Sequence, residues 1–295
     1  MSHSDIIAPV TPAYDLPGVR TVKISDLKDV LNKGLEDFRS MPTHAVFLCV
    51  IYPVAGLLLG RAAFGYDIIP MLYPLASGFA LLGPIAAIGL YELSRRREQG
   101  LDTAWTHALD VFRSPSFPSI AALGLLLLAI FIVWIAVANS LYVSAFGYAH
   151  PESLSSFIRD LYATPEGRYL AVVGNLVGFA FALLVLLITV VSFPLMLDRN
   201  VGLPAAMLTS VRLVLKNPVT MMAWGLVLAS GLVFGFATLL LGLAVVIPVL
   251  GHATWHLYRA GVESDPGPRK KIGTDKKGER YGAQFPVSIF TRSSD

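Results

Sequence analysis

The chain has little charge, a single cysteine and no long polar stretch between its apolar runs. Of its 295 residues, 15% are charged and 55% are apolar, and the mean hydropathy is +0.63. The one cysteine, Cys49, excludes an intrachain disulfide framework and a thiolate metal cluster. The basic residues form short clusters instead of an aromatic-interleaved face, so nucleic-acid binding has no support. We expect a chain this apolar to be embedded in a lipid bilayer.

Two further absences narrow the function. The sequence has no Gly-rich phosphate loop, nucleophile elbow or paired carboxylates, which are the usual sites of nucleotide and hydrolase chemistry. The centres of its apolar runs also lack the acidic or basic group that ion-coupled transporters keep near the middle of the bilayer. We therefore expect a protein that is not an enzyme.

Six apolar stretches dominate what remains, and most are close to the ~20 residues that span a hydrocarbon core. The last two are separated at residues 239–242, because a single charge-free helix of their combined length would overshoot the bilayer. The sequence thus predicts an all-α integral membrane protein with six transmembrane helices, at residues 43–60, 68–90, 118–138, 170–193, 219–237 and 240–258.

The distribution of positive charge predicts the orientation of these spans. Of the 23 Lys and Arg residues, 20 lie in the two terminal segments and in the segments 91–117 and 194–218, all on one side of the predicted bundle. Cytoplasmic loops carry the excess of Lys and Arg in membrane proteins. Both termini are therefore expected in the cytoplasm.

A short amphipathic stretch that ends at a proline precedes each pair of spans. Each suits an interfacial helix lying in the headgroup plane, turned into the membrane by the proline. The apolar stripes are Leu27, Leu31, Leu35 and Phe38 in the first stretch, Leu101, Trp105, Leu109 and Phe112 in the second, and Leu203, Met207, Val211 and Val214 in the third. The sequence therefore predicts three repeats of an interfacial amphipathic helix plus a transmembrane hairpin.

The repeats define the predicted organisation of the chain. Residues 1–22 form a disordered cytoplasmic tail, 23–90 the first repeat, 91–193 the second, 194–260 the third and 261–295 a disordered basic cytoplasmic tail. The second repeat contains an external loop at 139–169, in which residues 151–158 are expected to form a capped helix.

A pair of imidazoles is the strongest candidate for a metal or haem site. His252 and His256 lie four residues apart, so one helical face presents both, and they are close enough to share a metal or flank a haem edge. His44 and Glu92 belong to the same membrane edge and could complete the ligand set. The alternative is structural: both imidazoles bond to neighbouring helix ends, His44 helps its helix to begin, and Glu92 pairs with Arg95 or its neighbours.

Two segments resemble a known family. The run P-V-L-G-H-A-T-W-H-L-Y-R at 248–259 and the run G-L-Y-E-L-S-R-R-R at 89–97 are similar to bacterial integral membrane proteins with a domain of unknown function. Some members bear the label of putative cytochrome c oxidase subunit, and the resemblance covers most of residues 25–260. It implies a bacterial inner (plasma) membrane. A haem-copper catalytic subunit needs twelve spans and six ligating histidines, which this chain does not offer.

Three functional hypotheses follow. The first is a non-catalytic accessory, assembly or scaffold protein, with the bilayer and other membrane-complex subunits as partners and a respiratory oxidase as one example. The second is a metal- or haem-binding redox protein that uses His252 and His256. The third is a carrier for a small or lipidic solute, suggested by the repeats and by proline-broken spans.

Overall fold

Helices form the regular structure of the chain. The computed structural model describes residues 16–41, 53–54, 56–57, 60, 69–81, 83–149, 151–238 and 241–264. Within these ranges there is no strand, and the one isolated β-bridge joins Val19 to Val262. The prediction of an all-α protein is confirmed for this part of the chain.

Eleven α-helices follow one another along the described ranges, with a 3₁₀ turn at Ile69–Met71 and a 3₁₀ helix at Trp105–Arg113. The α-helices are α1 Ile24–Ser40, α2 Leu72–Leu81, α3 Gly83–Ala86, α4 Ile88–Glu98, α5 Phe117–Phe146, α6 Leu154–Ala163, α7 Pro165–Thr189, α8 Ser192–Asp198, α9 Leu203–Lys216, α10 Pro218–Ala237 and α11 Leu243–Gly261.

Three helical stretches in the described ranges are long and apolar enough to cross a membrane. They are Phe117–Phe146, Pro165–Asp198, which joins α7 and α8, and Pro218–Ala237. These stretches contain the predicted spans 118–138, 170–193 and 219–237. The length and apolar composition of these helices indicate an integral membrane protein. They coincide with three of the six predicted spans.

The other three predicted spans are not confirmed. Residues 43–60 lie largely outside the described ranges. In the described part of residues 68–90, a 3₁₀ turn precedes α2 and a turn at Ala87 separates α3 from α4, and residues 68 and 82 lie outside the described ranges. Residues 240–258 correspond to α11, which begins after a turn at the predicted place but has polar residues, including His252 and His256, in its C-terminal half.

The three predicted amphipathic stretches are helical, but they bury different faces. In α1 the buried positions are Leu27, Val30, Gly34 and Asp37, and the helix packs along α11. In α9 the buried face consists of small and polar residues together with Leu213 and Val214, and it contacts α7 and α8. Only the 3₁₀ helix leaves its whole predicted apolar stripe exposed.

A capped helix lies between α5 and α7, as the sequence predicted. In α6 the hydroxyl oxygen of Ser153 accepts a hydrogen bond from the backbone N–H of Ser156 at 3.1 Å. This is a regular N-cap, because a serine side chain before the first turn satisfies a helical N–H that lacks a partner.

The segment before α1 is held against the end of α11. Arg20 N–H donates to the carbonyl of Gly261 at 2.8 Å, and Glu263 N–H donates to the carbonyl of Gly18 at 2.9 Å. Asn217 accepts from Val22 N–H at 2.8 Å, which fixes the same segment to the turn before α10. Backbone groups within residues 18–22 and 261–263, which the sequence analysis assigned to the two tails, are therefore hydrogen-bonded.

Several completely buried side chains lie where α4, α8 and α11 meet. Leu93, Leu197, Trp255 and Leu257 are completely buried there. Helices α4 and α8 lie at and beyond the C-terminal ends of the predicted spans 68–90 and 170–193, and α11 corresponds to the predicted span 240–258. Their junction brings together the polar residues described next.

Candidate functional site

His252 and His256 point from α11 toward a single carboxylate. Nε2 of His256 lies 2.9 Å from Oδ2 of Asp37, and Nδ1 of His252 lies 4.0 Å from the same oxygen. The spacing of four residues does place both imidazoles on one helical face, as predicted. What they share is an aspartate from α1, more than 200 residues earlier in the chain.

Asp37 reaches this position because α1 lies very close to α11. Asp37 is 3% exposed. At Gly34, one turn earlier, an added Cβ would lie 2.7 Å from the backbone N of Ala253 and from the carbonyl O of Val249. Glycine is therefore required for the close approach of the two helices, and this approach brings the Asp37 carboxylate to the two imidazoles.

Helix α4 supplies the other partners of the carboxylate. The hydroxyl of Ser94 donates to Oδ2 of Asp37 at 2.6 Å, and the guanidinium of Arg97 donates to Oδ1. Ser94 also lies 2.7 Å from Nδ1 of His252. We call Asp37, Ser94, Arg97, His252 and His256 the Asp37 cluster. It joins three helices, and charge-assisted hydrogen bonds of this kind are about twice as strong as neutral ones.

The hydrogen bonds determine where the proton of His252 lies. Ser94 has one hydroxyl proton, which it donates to Asp37, so Ser94 must accept from Nδ1–H of His252. Nε2 of His252 is buried and forms no hydrogen bond of regular geometry with the described residues, although the backbone of Leu90 interacts with the ring. The bond to Ser94 therefore places a ring proton on Nδ1.

The electrostatics of the cluster favour an ionised Asp37. Burial by itself raises the pKa of this carboxyl, because it disfavours the charged form. Hydrogen bonds from His256 and Ser94, together with the charge of the neighbouring imidazoles, outweigh burial and hold the pKa of Asp37 below its ordinary value.

Glu92 does not join the two histidines. Both of its oxygens accept from the guanidinium of Arg95, at 2.7 and 2.8 Å, and both side chains are buried. Arg96 lies 3.9 Å from the same carboxylate. The ion pair that the sequence offered as the alternative for Glu92 is therefore present. His44, the other predicted ligand, lies outside the described residues.

The described residues bring together no complete set of metal ligands. Within the described ranges no group of three or more His, Cys, Asp or Glu residues could hold a metal ion. In the Asp37 cluster, Nε2 of His256 and Nδ1 of His252 already act as hydrogen-bond donors, so their lone pairs are not available to a metal. The geometry instead ties α1, α4 and α11 together.

A second polar cluster lies at the C-terminal end of α11. Arg259 donates from Nε to Glu98 of α4 at 2.8 Å, and from Nη1 and Nη2 to the two oxygens of Asp198 of α8 at 2.8 and 3.1 Å. Its guanidinium also lies over the Trp255 ring, 4.8 Å from the centroid. Arg259 thereby links the ends of α4, α8 and α11.

The sequence analysis missed Asp37, Ser94 and Arg97. One signal for Asp37 was available, because this residue continues the buried spacing of Leu27, Val30 and Gly34 along α1. A charged residue on the buried stripe of a helix requires a partner. No sequence signal identified the partner, since it lies at the opposite end of the chain.

Comparison with known proteins agrees with the membrane assignment. Residues 72–198, which are less than half of the chain, match the family DUF2189, described as a predicted integral membrane protein. This region includes α2 to α8 and two of the three candidate spans. No curated protein and no solved structure matches the chain. The expected label of cytochrome c oxidase subunit is not part of the family description.

Proposed function

We propose that this integral membrane protein is a non-catalytic scaffold, an accessory or assembly subunit that packs its apolar helices against other membrane proteins. One observation carries the proposal. In the apolar stretches of the three candidate spans, only 22%, 39% and 22% of the residues are buried by the rest of the chain. Most of their surface therefore remains for lipid or for partner helices, whereas the polar groups at the helix ends are used within the chain.

The Asp37 cluster supports a structural role over catalysis. A hydrolytic triad places histidine between the nucleophile and the acid, so that the histidine can remove the proton of the nucleophile. Here Ser94 lies between Asp37 and His252 and donates its proton to the acid. Ser94 is also only 1% exposed, so a substrate has no access to its hydroxyl.

The proposed topology comprises six spans in three repeats, with both termini in the cytoplasm of a cell with a bacterial inner membrane. Support comes from the contacts among α4, α8 and α11. Helices α4 and α8 lie at and beyond the C-terminal ends of the predicted spans 68–90 and 170–193, and α11 corresponds to the predicted span 240–258. The excess of Lys and Arg on the same side favours a cytoplasmic location of this junction.

Purification from native membranes tests the scaffold. A tagged chain is extracted in mild detergent and washed at high salt, and the particle mass is compared with the 31.8 kDa of one chain. We expect a stoichiometric membrane partner that survives the salt wash, because apolar contacts are not screened by ions. Haem-containing oxidase subunits among the partners would support the link to a respiratory oxidase. A particle of this chain with only lipid and detergent would contradict the scaffold.

A metal or haem bound at His252 and His256, with His44 or Glu92, is the alternative proposal. One observation favours it: Nε2 of His252 is buried without a regular hydrogen bond. Its Nδ1–H is also held by a polar side chain, as in histidines that bind metals. The test is metal analysis and an absorption spectrum of the purified protein. About one metal per chain or a Soret band, lost in the His252→Ala, His256→Ala variant, would favour this alternative.

A carrier for a small or lipidic solute is the remaining alternative. A cavity of about 100 Å³ lies among α2, α5, α6 and α7 and is lined mainly by apolar side chains. On its wall, the hydroxyl of Tyr73 donates a hydrogen bond to the side-chain oxygen of Asn175 at 2.7 Å. Binding sites for drug-sized molecules occupy roughly 300–1,000 Å³. The cavity accommodates only a small apolar group, which gives this alternative less support than the scaffold.

A further inference from the structure

The 3₁₀ helix between α4 and α5 has three distinct edges. A 3₁₀ helix has three residues per turn, so side chains at positions i and i+3 lie one above another. One edge, Ala108 and Val111, is buried against the chain. The second edge is polar and is formed by His107 and Asp110. The third edge includes Leu109 and Phe112, which are 49% and 65% exposed.

The polar edge of this helix faces the protein. Nδ1 of His107 lies 2.7 Å from Asp110, and the guanidinium of Arg96 on α4 contacts the same carboxylate at 3.4 Å. Arg96 also donates to the carbonyl of Asp102 at 2.6 Å. The polar groups are therefore paired inward, and the apolar edge is left facing outward. This arrangement is the reverse of what a helix on a water-exposed surface adopts.

The exposed apolar surface continues into a candidate membrane span. Leu101, which precedes the helix, and Trp105, its first residue, are also 38% and 40% exposed. The ring of Phe112 packs edge-on against Phe117, the first residue of α5, with centroids 5.4 Å apart. We call Leu109 and Phe112 the apolar strip. It lies at the level where α5 begins its long apolar run.

We infer that the apolar strip inserts into the headgroup–acyl boundary of the bilayer and fixes the depth at which α5 enters the membrane. Its occupant is lipid, because the strip is continuous with a helix apolar enough to cross a membrane. Amphipathic helices at this boundary bury their apolar face about 5–10 Å deep, and tryptophan is favoured there.

Charge does not drive this insertion. The 3₁₀ helix contains one aspartate and one arginine, Asp110 and Arg113, so its formal charge is balanced. Membrane helices that depend on anionic lipid instead carry clusters of Lys and Arg. The strip is therefore expected to bind zwitterionic and anionic bilayers alike. Of the three amphipathic stretches, only this one has all four residues of its predicted stripe exposed.

Fluorescence quenching tests the inference. In a Cys49→Ser background, single cysteines replace Leu109 and, as the matched control, the exposed polar Asp102, and each is labelled with an environment-sensitive dye. The full chain is reconstituted in vesicles of phosphatidylcholine, with or without phosphatidylglycerol. Brominated lipid should quench the dye at Leu109→Cys about twofold or more, and aqueous iodide should quench only the dye at Asp102→Cys.

Each other outcome overturns the inference. Equal iodide quenching at the two positions would place the strip in water. Quenching by neither agent at Leu109→Cys would mean that protein covers the strip, either a second copy or another chain. Quenching by brominated lipid only when phosphatidylglycerol is present would replace apolar insertion with an electrostatic contact. A Phe112→Cys variant repeats the test one turn along, so that a folding defect of one variant does not decide it.

Discussion

Nε2 of His256 donates to Oδ2 of Asp37 across 2.9 Å, and this bond joins residues 219 positions apart in the chain. It connects the first described helix to the last. Because Ser94 and Arg97 donate to the same carboxylate, α4 is part of the same connection. The histidine pair, which the sequence presents as a ligand pair, therefore stabilises the contact between helices.

Replacing Asp37 with asparagine should destabilise the fold substantially. The change removes the charge that three donors share, and a hydrogen bond to a charged group contributes about 1.5–3 kcal/mol. Arg97 is 39% exposed, so its own contribution is small because solvent screens it. Thermal unfolding in detergent measures the loss. Glu36→Gln, on the exposed face one residue earlier, is the control and should have little effect; equal losses in both variants would contradict the structure.

Stability should fall in acid in a manner that depends on Asp37. The folded protein holds the pKa of Asp37 below its ordinary 3.8, so the folded state binds this proton less readily than the unfolded state. The stabilisation is present above the ordinary value and is lost as pH falls through the lower folded-state pKa. The difference in melting temperature between the wild type and Asp37→Asn should stay constant from pH 7 to about pH 5 and shrink below about pH 4. A difference that disappears by pH 6 would contradict this assignment.

Two glycine-to-alanine substitutions should have different effects on the melting temperature. In a helix interior, alanine is favoured over glycine by roughly 1 kcal/mol. At Gly34, the added Cβ would meet backbone atoms of α11 at 2.7 Å, so Gly34→Ala should lower the melting temperature. At Gly174 in α7, the nearest atom would be 4.0 Å away, so Gly174→Ala should leave the melting temperature unchanged or raise it. Stabilisation by Gly34→Ala would show that α1 and α11 are not in close contact.

Arg259 should not be replaceable by lysine. The guanidinium forms three hydrogen bonds to Glu98 and Asp198, and lysine cannot reproduce this planar fork. Arg259→Lys should cost about 2 kcal/mol, as expected for lost hydrogen bonds to charged groups. Arg39→Lys, at an exposed position near the end of α1, should be neutral. In a double-mutant cycle with Asp198→Asn, the losses should be less than additive, and strict additivity would argue against the pair.

Local sequence patterns predicted the helices better than they predicted the contacts between helices. The three long apolar runs after residue 117 became α5, α7 with α8, and α10, because continuous apolarity over such lengths is a strong signal. Residues 68–90 were predicted as one span, but within the described residues a 3₁₀ turn precedes α2 and a turn at Ala87 separates α3 from α4. The contacts of His252 and His256 could not be predicted, because Asp37 and Ser94 meet them only after distant helices pack.

The amphipathic stretches show the same limit. Periodicity correctly indicated that α1, the 3₁₀ helix and α9 each have an apolar face, but it could not say what each face contacts. Helix α1 packs on α11 through a face that includes Gly34 and Asp37, which an apolar stripe would not include. The face toward a neighbour depends on close approach and on buried polar pairs, and neither is encoded in local spacing.

Site-specific photo-crosslinking in native membranes tests the scaffold most directly. A photoreactive residue is placed on α5 at Leu125 or Ile132, which are 67% and 59% exposed, and at the buried Leu123 as the matched control. The scaffold predicts that at least one exposed position forms a discrete adduct with another membrane protein, whereas Leu123 reacts only within the chain. Adducts with lipid alone at both exposed positions, and at equivalent exposed positions on α7 and α10, would contradict it.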